Sequence, residues 1–416
     1  MTMVNRLRAA AFVLLVLGSV AGGGSAASAA PSAPGVASRS ITIGFVTSET
    51  GPAAPTFSDS AGGALARFAL QNAQGGVNGR KLRLVTKDDQ SSTVTNANVA
   101  SELGGSNVFA VIEDTAIDDN YEVGDKVLAK LGVPVTTWGT NTIDSNVFDA
   151  FSPNLPGLGG TLAGATYAYN YIGPFLKSIG VKNLAGITYN GIGKGFLEQM
   201  NMLKDRNGIA TCFTDVNVPL GGTNFTVDAL SIAHANCDGV YVSAVDSTDV
   251  AIGSALKNDG STAKALYLTG YDNQVLAQPL SSSALDRGYF AATVNMTTPN
   301  APTRTMLNAL KRYDKSYHGG LPDLGTVFAY LSADLMIEGL QRAGTNPTRP
   351  AFIANLREVQ SYTAGGLLPE ALRFDRFGSV AGLPKTECEY FLQLRGGSYH
   401  STNNGKPVCG PLVKLS

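Results

Sequence analysis

Charged side chains are scarce, 15% of 416 residues, and they nearly cancel, with 31 Lys and Arg against 32 Asp and Glu. A net charge of -1 offers no basic excess for neutralising phosphates, which argues against a nucleic-acid partner. Histidine occurs three times, at His234, His318 and His400, and no CxxC pair accompanies it, so zinc-ligand spacing is missing. No G-x-S-x-G, H-E-x-x-H or G-x-x-x-x-G-K-[ST] run occurs, which removes the common signatures of serine hydrolases, zinc proteases and phosphate loops. No cofactor, metal or catalytic residue is expected. Downstream of the first forty residues no apolar run approaches the roughly 20 residues that cross a bilayer, and no stretch is polar enough to stay disordered.

The first forty residues differ from the rest. Arg6 and Arg8 precede an apolar run over 9–20, and small residues continue to Ala30, the pattern of a secretory signal. Ala27-Ser28-Ala29 fits the small-x-small rule, so cleavage is expected after Ala29, with 30–40 as a loose leader. A membrane anchor is the alternative, but the run is short for one. No Cys lies near this junction to accept a lipid. Export, in soluble form, suits the four cysteines, all in the second half of the chain. Three pairings are possible. The expected one joins sequence neighbours, Cys212 with Cys237 and Cys388 with Cys409, each closing a loop whose constraint is worth about 3 kcal/mol.

From residue 41 short apolar runs alternate with longer amphipathic ones, as in βαβ units. Strands are expected at 41–47, 81–86, 108–112 and 133–137, with helices at 58–73, 94–103 and 121–131. Residues 152–160, rich in Pro and Gly, break the series. A second series follows, with a long helix at 161–179 interrupted near Gly173-Pro174. Strands come next at 184–189, 210–216, 239–245, 265–269 and 288–294, and helices at 196–205, 225–235 and 250–257. Pro299 to Pro302 and Gly365-Gly366 mark further crossings, with helices at 304–317, 326–342 and 350–359 between them. A strand within 388–394 belongs to a Cys-stapled tail. Two α/β/α lobes of Rossmann type, joined by three crossings, would leave a cleft at the carboxyl ends of their strands, where small ligands bind.

Two local motifs admit two readings each. Gly191-Ile-Gly-Lys-Gly-Phe196 follows a strand and opens a helix, but Phe196 replaces the third glycine of a dinucleotide loop, which leaves a tight βα turn as the plainer reading. Asp88-Asp89 could pose as a carboxylate pair, yet Asp89 reads better as the N-cap of the next helix.

The segments Ile41-Thr-Ile-Gly-Phe-Val46, Thr50-Gly-Pro52, Gly62-Gly63, Asn72 to Leu82 with its G-G-V-N-G-R-K-L turn, and Lys87-Asp88-Asp89 carry a resemblance over nearly all of the chain beyond the leader. They resemble the type I periplasmic substrate-binding proteins of branched-chain amino acid ABC transporters, the Leu/Ile/Val-binding group. That resemblance implies the periplasmic-binding-protein-like I fold, with lobe 1 from 41–156 and 297–365 and lobe 2 from 157–296 and 366–416. It implies capture of a small amino-acid-like solute by hinge closure, presentation to permease subunits, and a monomer.

The resemblance places ligand contacts of lobe 1 at Thr56-Phe57, at Thr115-Ala116-Ile117 and at Trp138-Gly139-Thr140. There the Thr140 hydroxyl and nearby N–H groups suit a carboxylate and Trp138 offers a flat face, or else serves as a core aromatic. In lobe 2 it places them at Tyr189 and Ile192, at Val245-Asp246 and at Tyr271-Asp272, with Asp272 as counter-charge to an ammonium. Two departures bear on the ligand. The serine-rich loop of the family becomes Glu113-Asp114-Thr115-Ala116-Ile117-Asp118-Asp119, whose carboxylates would repel an anion, and the Tyr of Tyr-Gly-x-Gly becomes Ile192. The reading is therefore an exported solute-binding protein. Its rivals are a sensor of the same fold that signals to a receptor, and an extracytoplasmic enzyme with an unfamiliar site.

Overall fold

Strands of parallel sheets lie buried on both faces, and two sheets, one wholly and one partly parallel, organise the chain. In the computed structural model, residues 33–117, 123–137, 147–149, 167–269, 271, 273–375 and 384–415 are described. The first sheet is wholly parallel and contains β1 (Ser40–Thr47), β2 (Lys81–Asp88), β3 (Ala110–Asp114), β4 (Val135–Thr137) and β5 (Val147–Asp149), in the order β2-β1-β3-β4-β5. Every residue of β3 is buried, as expected for a strand covered on both sides. Pro134 sits just before β4, where its missing N–H interrupts no ladder.

The second sheet is mixed. It contains β6 (Tyr167–Tyr169), β7 (Asn183–Tyr189), β8 (Ala210–Val218), β9 (Gly239–Ser243), β10 (Lys264–Tyr267), β11 (Tyr289–Ala292), β12 (Thr386–Arg395), β13 (Ser398–Ser401) and β14 (Val408–Lys414). Its order is β6-β14-β12-β11-β10-β9-β7-β8, with β13 on β12. The strands β7 to β11 run parallel, whereas β12, β13, β14 and β6 join antiparallel.

Helices cover the sheets where polar caps release the chain into them. Asn300, Asp323 and Thr348 each accept a hydrogen bond from the third following N–H, and so start the helices Ala301–Tyr313, Leu324–Arg342 and Arg349–Leu356. The Leu324–Arg342 helix is buried along most of its length and packs on β3, β4 and the Ser60–Ala73 helix. That last crossing is close because a methyl at Gly63 would overlap the Thr326 carbonyl. Both expected disulfides form, Cys212–Cys237 and Cys388–Cys409. Cys212 occupies the residue that slips out of register between β7 and β8.

Two expectations need correction. The helix expected at 161–179 is instead strand β6 followed by the helix Ile172–Ser178, the residues before 167 lying outside those described. Tyr167 to Tyr169 gain their hydrogen bonds from Leu412 to Lys414, a pairing too distant in sequence for local periodicity to reveal. Residues 33–39, expected as loose leader, fold back: Gly35 N donates to Asn107 Oδ1 at 2.7 Å, and Thr42 N to Gly35 O at 2.9 Å. Among the described residues no helix is long and apolar enough to span a membrane. The signal region, the cleavage bond after Ala29 and the crossing at 152–160 lie outside the described residues.

Candidate functional site

The carboxyl ends of β1, β2 and β3 come together in one hydrogen-bonded network. Ser48, just past β1, donates to Asp89 Oδ1 at 2.7 Å, and its hydroxyl lies 2.9 Å from that of Thr115, just past β3. The Thr115 hydroxyl also donates to Asp89 Oδ2 and accepts from Ile117 N at 3.2 Å. Asn96 Nδ2 reaches Asp89 Oδ2 at 3.1 Å and Glu113 Oε2 at 3.4 Å. Asp89 is thus no helix N-cap; Ser92 takes that role, accepting from Thr95 N, because the left-handed residues Gln90 and Ser91 carry the chain three residues further before the helix begins. Burial raises the Asp89 carboxyl above its ordinary value, and the bonds from Thr115, Ser48, Ser91 and Asn96 offset part of that rise. Its neighbour Asp88 faces outward and accepts from Thr50 N, Thr50 Oγ1 and Gln90 N. Burial would raise Asp88, but those bonds outweigh it and hold the carboxyl below its usual range.

Behind Thr115, Glu113 and Asp114 are wholly buried, so neither of these two carboxyls of the acidic loop opens to solvent. Desolvation pushes Asp114 well above its ordinary value, offset only in part by Ser60. Asp118 and Asp119 lie outside the described residues.

In the second sheet, Tyr189 ends β7 with its hydroxyl donating to Thr248 Oγ1 at 3.0 Å and accepting from Val245 N at 2.9 Å. Desolvation raises the phenol, the bonds from Thr248 and Val245 oppose it, and Asp249 and Asp246 raise it further. Asp246 and Asp249 occupy the first turn of the helix Asp246–Asn258, which suits its dipole. Asp249 Oδ2 accepts from Thr269 Oγ1 at 2.8 Å, while Oδ1 has no hydrogen-bond partner among the described residues. Desolvation, then Asp246, raise Asp249 well above its ordinary value.

The two sets meet. Asp246 N donates to Thr56 Oγ1 at 3.1 Å, and Ser247 Oγ to Pro52 O at 3.1 Å. Beside them Gly221, at φ +78°, presses on Pro52 so closely that a methyl there would overlap it. Of the residues singled out in the sequence, Thr56, Phe57, Thr115, Ala116, Ile117, Tyr189, Ile192, Val245, Asp246 and Tyr271 are all buried at these strand ends or the loops that follow. The structure joins Thr56 to Asp246, Tyr189 to Val245 and Thr115 to Ile117. Trp138, Gly139, Thr140 and Asp272 lie outside the described residues. The glycine turn at 191–196 is explained by packing, since a methyl at Gly193 would lie 2.8 Å from Val216 O on β8. Pro52 was marked only as part of the Thr50-Gly-Pro52 motif, and Ser48, Asn96, Gly221, Ser247 and Asp249 went unnoticed in the sequence; of these only Asp249, three residues after Asp246 on one helical turn, left a readable sign.

Two α/β layers that meet through the carboxyl ends of their parallel strands define a bilobal solute-binding fold. Residues 40–396 match the family described as periplasmic binding protein, and the chain belongs to that family, the type I periplasmic solute-binding proteins, whose members are not enzymes. No curated protein matches it in sequence. Among solved structures it is similar to the fatty acid ABC transporter substrate-binding protein from Thermomonospora curvata, at 17% identity and TM-score 0.72 over 92% of this chain and 95% of that one. It is similar to LivJ, the branched-chain amino acid transporter substrate-binding protein from Streptococcus pneumoniae in complex with isoleucine, at 19% identity and TM-score 0.68 over 90% and 100%. An ABC transporter solute-binding protein from R. palustris in complex with benzoate matches at 17% identity and TM-score 0.67 over 90% and 98%. Identities this low bear on the fold alone. The family makes the chain a periplasmic solute-binding protein.

Proposed function

We propose that the protein captures a small amino-acid-like solute between lobe 1, residues 41–156 with 297–365, and lobe 2, residues 157–296 with 366–416. It then delivers the solute, as an exported monomer, to the permease subunits of an ABC transporter. The observation that carries this reading is the bond from Asp246 N to Thr56 Oγ1, which joins the carboxyl ends of the two sheets where a ligand would be enclosed. Closure there removes water and strengthens the few polar contacts a solute makes. Asp249, whose Oδ1 has no hydrogen-bond partner among the described residues, supports an ammonium-bearing ligand, for which the resemblance names Asp272 as counter-charge. Thr115 to Ile117 and Trp138 to Thr140 would face its other end.

The test is a melting-temperature screen of protein unfolded and refolded to strip carried-over ligand. Amino acids, amides, polyamines, benzoates and fatty acids serve as probes. A ligand specific to the folded state raises the melting temperature. A shift with amino acids supports the reading; a shift confined to benzoates or fatty acids removes the amino-acid part; no shift with any class overturns it.

A further inference from the structure

The two disulfides differ in their surroundings. Cys212 and Cys237 both pack partly buried against the core. Cys388 and Cys409 face each other across the antiparallel pair of β12 and β14, with Cα atoms 3.9 Å apart. One side of this bridge is shielded and the other open, for Cys388 is 5% exposed whereas Cys409 is an exposed residue of β14. A thiol arriving from solvent therefore meets the bridge at Cys409.

Attack there would make Cys388 the leaving group, and a thiolate left in buried surroundings is costly. A carboxyl stands where that cost would fall. Glu370, in the segment that leads into β12, places Oε1 3.0 Å from Cys388 Sγ. A sulfur in a disulfide has no hydrogen to give, so a proton at this contact belongs to the carboxyl. Desolvation raises Glu370 above its ordinary value, which favours the form that carries the proton. Glu387 on β12 and the Tyr169 phenol on β6 both feel Glu370. Burial first, then neighbouring acids, pushes each of these toward its own neutral form, so neither sets a fixed charge beside Glu370.

We propose that the Cys388–Cys409 bridge is a thiol-exchange site. The attacking thiolate bonds to Cys409 Sγ, the S–S bond breaks, and its electron pair goes to Cys388 Sγ, which takes the proton of Glu370. The co-reactant is a dithiol, whose second sulfur then displaces Cys409 and closes a disulfide of its own. Two electrons pass from the dithiol to the bridge, and its two protons end on the two cysteines, that of Cys388 by way of Glu370. A protein of the dithiol oxidoreductase class is the partner that fits, and what it opens is the covalent tie between β12 and β14.

The test treats folded, full-length protein with dithiothreitol, quenches with iodoacetamide over time and reads both bridges by peptide mass spectrometry. Cys388–Cys409 should open at least about tenfold faster than Cys212–Cys237. With glutathione in place of the dithiol, the trapped mixed disulfide should sit on Cys409. Per unit of thiolate, opening should slow as pH rises and Glu370 loses its proton. Glu370→Gln should open at least about tenfold more slowly than wild type, with that pH dependence gone and the melting temperature of the oxidised protein kept. Glu387→Gln should match wild type. Cys212–Cys237 opening first overturns the proposal, as does a mixed disulfide on Cys388. So do wild-type kinetics in Glu370→Gln, or an equal slowing in Glu387→Gln.

Discussion

Asp89 and Thr115 leave the two strands that flank β1 and meet over its end, the Thr115 hydroxyl donating to the Asp89 carboxyl. Ser48, just past β1, donates to the same carboxyl, so one buried acid fixes the ends of three parallel strands.

Replacing Asp89 by Ala leaves the Ser48, Thr115 and Asn96 donors buried without an acceptor, at a cost of about 1–3 kcal/mol for each one left unsatisfied. The expected outcome is a melting temperature several degrees lower and weaker ligand affinity, since the Thr115 to Ile117 loop loses its tie. Asp89→Asn should be milder, its amide oxygen still accepting from Ser48. Parallel melting and calorimetric titration check this; full affinity in the Ala variant would mean that the loop holds its shape unaided.

In the proposed closure, the contacts of Pro52 with Gly221 and Ser247 hold the two sets of strand ends together. Ala at Gly221 is unfit twice, by the positive φ and by overlap with Pro52. Gly221→Ala is expected to favour the open form and weaken ligand binding about tenfold, a loss of about 1.4 kcal/mol. Ser247→Ala, which loses one bond at the rim, should cost about 1 kcal/mol. Small-angle scattering should show Gly221→Ala more extended than wild type without ligand; identical profiles and affinities would remove Pro52 from the closure contact.

Asp114 gives a pH dependence whose sign can be worked out. Unfolded, it ionises near the ordinary aspartate value, about 4; folded, desolvation raises that value well above it. The folded state therefore holds its proton longer. The contribution to stability is fully present below the unfolded value and is lost as pH rises through the folded one. Asp114→Asn, neutral at every pH and nearly the same shape, should then be about 1–3 kcal/mol more stable than wild type at neutral pH. The gap should close as pH falls toward about 4. Melting curves across that range decide it, and a gap independent of pH would mean that ionisation of Asp114 carries no cost.

Much of this was legible in the sequence. The alternation of strands and helices, the two series and the pairing of the four cysteines follow from period and spacing, because a parallel strand buried on both faces reads as a short apolar run. The tail of the second sheet was less so. Tyr167 to Tyr169 look helical until Leu412 to Lys414 are brought beside them, and the strands β13 and β14 carry no strong apolar run of their own. At the site, sequence alone marked Asp246 and Thr56 separately but not that the backbone of one meets the side chain of the other. Asp89 was misread for a physical reason: an aspartate before a helix usually caps it, and only the left-handed turn at Gln90-Ser91 frees this one to bind Ser48 and Thr115.

The pairing of β6 with β14 also bears on how the chain is made. All strands of the first sheet are synthesised early, whereas Tyr167 to Tyr169 must wait for Leu412 to Lys414 before their backbone groups find partners. A growing chain would thus carry an open sheet edge from the time residues 167–169 emerge until residues 412–414 follow. The second half of the molecule is therefore exposed to mispairing for longer than the first, whose strands all lie within 40–149.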